Sequence, residues 1–290
     1  MASAPIAHRS RGDALGPLPP WCPPARISHP VMLHRWEILS FLHWPYPAEA
    51  VRALLPCELE VDTFDGAAWV GLIPFRLTVT LPGVPPLPWV NSCPEINVRT
   101  YVRGPDEQSG IWFLSLEASR LSAVLAARTW YGLPYRWAAM RLDRQSGTVW
   151  YESRRRWRGR RPREVISLAV GDLVAPQALD PLEVFLTARW RLYSPRGTGL
   201  AVTQVDHDPW PVHRARVLCV RDELIPAAGL PEPVGPPLAL FSPGVSVRFA
   251  RRRQLGVVGT GASCGVVRVG AAGPWPSSGS RPGKDHSLGS

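Results

Sequence analysis

Lysine is almost missing from this chain: of 33 basic residues, the only lysine is Lys284, and every other is arginine. The formal charge of +10 therefore rests on guanidinium groups, which stay protonated and cannot serve as amine nucleophiles. No apolar run reaches the roughly 18 residues needed to cross a bilayer. The first 25 residues are broken by Gly and Pro and lack the continuous apolar stretch of an export signal. The five cysteines (Cys22, Cys57, Cys93, Cys219 and Cys264) form no C-x-x-C pair and no Cys/His grouping, so neither a disulfide framework nor a zinc site is indicated. There is no Gly-rich phosphate loop, and no nucleotide or other cofactor is expected. These absences predict a cytoplasmic protein with no membrane partner.

The arginine excess, accompanied by abundant Ala, Gly and Pro, reads as coding bias rather than selection for phosphate binding. Its densest cluster is "RRRWRGRRPR", from Arg154 to Arg163. That stretch is expected to be a solvated hairpin tip, because Gly159 and Pro162 sit between strand-like segments. The competing reading is an arm for a polyanion, with Trp157 stacking on a base. No nucleic-acid motif accompanies the cluster, which argues against that partner.

What is present reads mainly as strand. Residues 1–25 and 255–290 are rich in Pro or in Gly and Ser and are expected to be unstructured tails around one domain, 26–254. Within that domain "RWEILSFLHW" is a strand and "PAEAVRALLP" a short helix. Asp65-Gly66 between apolar runs is a hairpin signal. Many further short strands, with helical turns at "DPLEVFLTA" and "RDELIPAAG", predict an antiparallel barrel with a few outer helices.

The chemistry concentrates between Glu95 and Ser119. Alternation puts Glu95, Asn97, Arg99 and Tyr101 on one strand face, with Ile96, Val98, Thr100 and Val102 on the other. On the next strand the same rule groups Ile111, Phe113, Ser115, Glu117 and Ser119. A register with Arg99 opposite Ser115 would bring Arg99 within reach of Glu117. A buried guanidinium must be paired, which leaves two readings open. Either Arg99 and Glu117 or Glu95 form an internal ion pair, or the arginine offers its fork to a carboxylate ligand while a glutamate in an apolar cavity exchanges protons. His43, His207, Asp208 and His213 form a metal site only if they converge, and loop or interface positions are the simpler expectation. Ser119 is expected to cap the following helix. The tryptophans, among them Trp36, Trp44, Trp69, Trp112, Trp130, Trp137 and Trp190, are expected in the core or a pocket wall.

The segments "LHRWEILSFLHWPYPAEAVRALLPCELEVDTFDGAAWVGLIPF", "PEINVRTYV", "GIWFLSLEAS", "ARTWYGLPY", "LTARWRLYS" and "PWPVHRARV" resemble the uncharacterised YqjF-like family of the acetoacetate decarboxylase superfamily. The resemblance runs from about Leu33 to Arg253. It implies a predominantly β fold, a cone-shaped antiparallel barrel with flanking sheet and helices around a pocket, and no established activity. Against acetoacetate decarboxylase itself the likeness is fainter. It places an early-strand arginine near Arg35 and a glutamate at Glu117, and counting back from Gly132-Leu133-Pro134 to the reactive lysine reaches Trp130, Thr129 and then Arg128. An iminium electron sink needs an amine that can lose its proton, which arginine cannot supply. The expectation is a pocket for a small carboxylate or carbonyl ligand without Schiff-base chemistry. Arg99, Arg35, Asn97, Tyr101 and Arg128 are the expected binding residues, and Glu117 and Glu95 the candidate acid or base. The alternative is a noncatalytic interaction protein with a structural polar interior and an Arg-rich hairpin for a partner.

Overall fold

A computed structural model describes residues 18–84, 92–156 and 161–255. In chain order these form β1 (Met32–Tyr46), α1 (Ala48–Arg52), β2 (Glu60–Val61), β3 (Ala68–Thr80), β4 (Ser92–Arg103), β5 (Ser109–Ala118), α2 (Leu121–Tyr131), β6 (Tyr135–Gln145), β7 (Thr148–Arg155) and β8 (Arg163–Leu173). A 3-10 turn (Pro176–Ala178) precedes α3 (Pro181–Thr187), β9 (Arg191–Arg196), β10 (Gly199–His207), β11 (His213–Asp222), α4 (Leu224–Ala227), β12 (Leu238–Phe249) and β13 (Arg253–Gln254). Local chemistry explains several boundaries. Asp65 and Gly66, at φ 50° and 76°, make the left-handed turn in which Phe64 and Ala67 exchange backbone bonds. Asp180 and Glu183 form a reciprocal capping box at the start of α3, with Pro181 in its first turn. Ser119 does not cap α2: Arg120 holds the N-cap position without a side-chain capping bond, its guanidinium donating instead to the Ser92 carbonyl.

The strands form one sheet in which β12, β1, β3, β4 and β5 are consecutive neighbours. Both edges of this wall fork. The start of β12 (Leu240 and Phe241) pairs with β11, and its end (Val247 to Phe249) pairs with β10. In β5, Ile111 and Trp112 pair with β9, whereas Leu116 to Ala118 pair with β6. Strands β6, β7, β8 and β11 thus close one ring with the wall, and β9 and β10 close a second ring on its other face. The sheet is antiparallel, as expected, except at β5, which runs parallel to both β6 and β9; α2 supplies the crossover to β6 that a parallel pair requires.

Each ring has its own core. Leu42, Trp44, Leu72, Tyr151, Leu168 and Phe241 fill the first, while Leu39, Phe41, Phe75, Val205, Trp210 and Phe249 belong to the second. Serving two cores requires breaks in side-chain alternation. In β1 an extra residue shifts the register against β3 between Glu37 and Leu42, and Ile38 takes φ 49°. His34 and Trp36 therefore face the same side as Leu39 rather than Ile38. Pro23, within the expected N-terminal tail, is buried, and at the start of the expected domain Arg26 pairs with Asp206 and the Ile27 amide donates to the same carboxylate. Among the described residues no helix is long and apolar enough to cross a membrane.

Opposite the β1 bulge, Gly244 takes φ 133° and its backbone meets Trp36 so closely that an added Cβ would stand 2.1 Å from the Trp36 carbonyl oxygen. Gly244→Ala is expected to cost more than about 2 kcal/mol in urea unfolding. Gly235→Ala, with positive φ but open space, should cost only about 1 kcal/mol. Equal losses would show that backbone strain alone, rather than the close approach, makes position 244 glycine.

Candidate functional site

A cavity of about 520 Å³ lies on the second-ring side of the wall. Strand β3 contributes Ile73, Phe75, Leu77 and Val79, Leu81 follows just past its end, and β1 contributes Met32, His34, Trp36 and Leu39. Helix α2 lays Ala123, Ala127 and Tyr131 over it, four residues apart on one face. Its polar wall comes from alternate positions of β4, namely Cys93, Glu95, Asn97 and Arg99.

Arg99 is 7% exposed, yet among the described residues no carboxylate lies within ion-pair distance of it. Its Nη2 donates to the Tyr101 hydroxyl at 3.2 Å and to the Leu186 carbonyl of α3 at 3.1 Å, and its Nε has no partner. The Phe41 and Tyr101 rings flank the guanidinium at 5.7 and 5.6 Å. Nearby Arg189 is neutralised by Asp62 at 2.7 Å, and that carboxylate also meets Arg103. The deep end of the cavity therefore holds an uncompensated positive charge. Next to it on the same face, the Asn97 side-chain oxygen is buried without a partner.

Glu95, 3% exposed, accepts a 2.9 Å hydrogen bond from the Tyr135 hydroxyl. Burial pushes its pKa up to about 8, against the lowering effect of that bond, so the carboxyl is mainly neutral at pH 7. The Tyr135 hydroxyl is itself driven well above its ordinary range, first by burial and then by Glu95. Further out, Trp36 Nε1 donates to His34 Nδ1 at 3.2 Å, which leaves the ring hydrogen on the buried, unpartnered Nε2. Burial holds His34 down to about 3, so it stays neutral.

The other expected site residues lie elsewhere, for identifiable reasons. Val98 faces Ser115 and Arg99 faces Phe113, so Leu114 is an extra residue in β5. The expected register, with Arg99 opposite Ser115, fails at that bulge. Phe113 and Leu116 line the cavity, while Ser115 and Glu117 turn to the opposite face of the wall. There Glu117, fully buried, is bound by Arg155 at 2.5 and 3.1 Å and by the Ser115 hydroxyl at 2.9 Å. An ion pair between Arg99 and either glutamate is absent among the described residues. Arg35 is largely exposed and pairs with Glu37 at 3.0 Å. Arg128 lies outside the cavity wall and donates to the Tyr135 carbonyl at 2.9 Å, tying the end of α2 to β6. Tyr101 lies beneath Arg99 as support, donating to the Leu186 carbonyl at 2.7 Å and meeting His43 Nε2 at 2.6 Å. His43, His207 and His213 do not converge: the last two contact the Asp208 and Gly171 carbonyls.

Sequence reasoning missed Tyr135, His34 and Arg155. Arg155 was assigned to the solvated tip, yet it shares an inward face with Val149, Tyr151 and Ser153 at alternate positions of β7, a signal already in the sequence. Arg156 stacks over Trp137 at 5.1 Å, and residues 157–160 of the cluster lie outside the described residues.

The raised Glu95 pKa has a stability consequence of definite sign. Between its unfolded value of 4.5 and about 8 the folded state binds more protons than the unfolded state, so this carboxyl contributes stability at low pH that is lost as pH rises through that window. Glu95→Gln, which can still accept from Tyr135, is expected to flatten the pH–stability curve relative to the parent between pH 5 and 8, by a slope difference of up to about 1.4 kcal/mol per unit. Parallel curves would place the Glu95 proton elsewhere. Comparing the two proteins cancels Glu164 and Asp222, also raised by burial, and His207, lowered to about 4.

Comparison with known proteins fits this architecture. The Uncharacterized protein YqjF of Bacillus subtilis (strain 168) is 33% identical over 222 residues, covering 76% of this chain and 90% of its own. Among solved structures, an acetoacetate decarboxylase-like enzyme from Sphingomonas wittichii RW1 superposes with a TM-score of 0.57 at 12% identity, covering 79% of this chain and 94% of that one. The enduracididine biosynthesis enzyme MppR complexed with pyruvate gives 0.58 at 14% identity, covering 79% and 91%. These likenesses show a shared acetoacetate decarboxylase-like fold. Residues 34–246 match the DUF2071 profile, described as an uncharacterized conserved protein, and with the YqjF relationship this establishes that the chain belongs to the DUF2071 family.

Proposed function

We propose that this protein binds a small organic acid or a related carbonyl compound in the cavity, with Arg99 as the anion anchor and Glu95 as the proton-carrying group. The observation that supports this most is a buried guanidinium with an unpartnered Nε at the end of a largely apolar cavity. Leaving such a group without a counter-charge costs several kcal/mol, which a bound carboxylate would recover. A neutral Glu95 can donate to a ligand carbonyl or exchange a proton with it. The pyruvate found with MppR, a fold neighbour, is a compound of the same class.

The reading does not pass through an iminium ion. No lysine stands among the described residues, and Lys284 lies outside them. Cavity recognition is therefore expected to survive Lys284→Ala. The interaction-protein alternative, in which the polar interior only satisfies itself, has less support, because Glu117 is saturated by Arg155 while Arg99 and Glu95 pair with no opposite charge.

A thermal-shift screen against small keto, hydroxy and aromatic carboxylic acids tests the proposal. An acid at about 100 times its dissociation constant should stabilise the fold by about 2.7 kcal/mol, a rise in Tm on the order of 5–10 °C for a chain of this size. The shift should vanish in a folded Arg99→Ala variant and persist in Lys284→Ala. Equal stabilisation of parent and Arg99→Ala, or none across the panel, would overturn the assignment of Arg99.

A further inference from the structure

The cavity also has a length and a direction, and these narrow the kind of acid it can hold. This step rests on the reading of Arg99 as the anion anchor. The strand register gives the levels: Arg99 lies beside Gly71, Asn97 beside Ile73, Glu95 beside Phe75 and Cys93 beside Leu77. Val79 lies beside His34. Of the two arginines that line the cavity, Arg99 stands at one end, and Arg120, toward the other, is tied by its Nε to the carbonyl of Ser92, beside Thr78. The Arg99 end is closed by α3, whose Leu186 carbonyl receives both Arg99 and Tyr101. From Ile73 the wall continues through Phe75, Leu77 and Val79 to Leu81, apolar at every cavity-facing position. Leu81 and Val84, 51% and 50% exposed, mark the outer end.

Ile73 to Leu81 spans eight residues, roughly 26 Å at about 3.3 Å per strand residue. In an extended chain three bonds cover about 3.5 Å, so that length matches about 20 bonds in series. The volume gives a similar figure: 520 Å³ holds on the order of 17 non-hydrogen atoms if each takes about the 30 Å³ of a water molecule in the liquid. A two- to four-carbon acid would leave most of this apolar tube unfilled. Small side chains on α2, Ala123 and Ala127, leave the tube clear beside β3.

We propose that the ligand is an extended monocarboxylic acid with a slender apolar body of about 12–16 carbons, its carboxylate on Arg99 at the closed end and its chain running along β3 toward Leu81. Recognition then combines one charge-assisted contact with graded burial of methylenes.

Calorimetric titration of the full chain with butanoic, octanoic, dodecanoic and hexadecanoic acids, kept below their aggregation limits, tests this. Affinity should rise on the order of tenfold or more per four-carbon step up to dodecanoic acid, less than the roughly fourfold per methylene of complete burial. Arg99→Ala should weaken every acid. Leu77→Trp, which sets an indole about 13 Å along β3 from Ile73, should reduce hexadecanoic acid to the affinity of dodecanoic acid and leave butanoic acid unchanged. Arg99-dependent binding of butanoic acid with no gain from longer chains overturns this inference and leaves the anion pocket standing. Long acids that bind Arg99→Ala as well as the parent overturn the inward carboxylate. Failure of every acid to bind overturns both readings.

Discussion

A sheet that is buried on both faces has no solvent side to which it can relegate a polar residue, and the wall of β12, β1, β3, β4 and β5 is such a sheet. The consequence is visible in "SFLHW" of β1, where Ser40, Phe41, Leu42, His43 and Trp44 are all buried. Each polar group placed there must be satisfied within the protein or by something bound. Ser40 meets the Tyr151 hydroxyl on one face, and His43 meets Tyr101 on the other. The forked edges follow from the same constraint, since a wall with two cores needs a strand partner for each ring at both of its margins.

The two faces treat charge differently. On the first-ring face Glu117 has Arg155 and Ser115, a closed arrangement in which removing one partner would strand the other. On the cavity face Glu95 is held neutral by burial, Arg189 is matched by Asp62, and Arg99 keeps its charge with only a hydroxyl and a carbonyl as partners. Carbonyl and hydroxyl oxygens carry partial charge and cannot replace a carboxylate. This asymmetry separates a closed ion pair from a buried cation without a counter-charge, and it arises within one strand pair.

Much of the fold was legible because it rests on local rules. The Asp65-Gly66 turn, the short helix after Tyr46, the helical turns around Leu182 and Leu224, and the strands of the second half all follow from turn chemistry, caps and period-two alternation. The grouping of Glu95, Asn97 and Arg99 was equally legible, because β4 keeps its alternation from Ser92 to Arg103 without interruption. What could not be read was set by bulges and tertiary pairing. Ile38 and Leu114 carry no residue-type signature, and neither glycine nor proline marks them, so nothing local announces the phase change. Arg35 and Arg128 were placed through a distant family's chemistry, and the first instead lies on the outer surface while the second ties α2 to β6.

One inserted residue thus decides which carboxylate belongs to which face. Were Leu114 paired in regular alternation instead of bulged, Ser115 and Glu117 would follow Phe113 onto the cavity face and Leu116 would enter the first core. Continued from the Arg99–Phe113 pair, that register would set Glu117 opposite Glu95, placing two carboxylates together on the cavity face. With Leu114 bulged, Glu117 is diverted to Arg155, and the same shift hands the C-terminal part of β5 from β9 to β6. The fork that builds two rings and the facing of Glu117 toward Arg155 therefore meet at the same bulge.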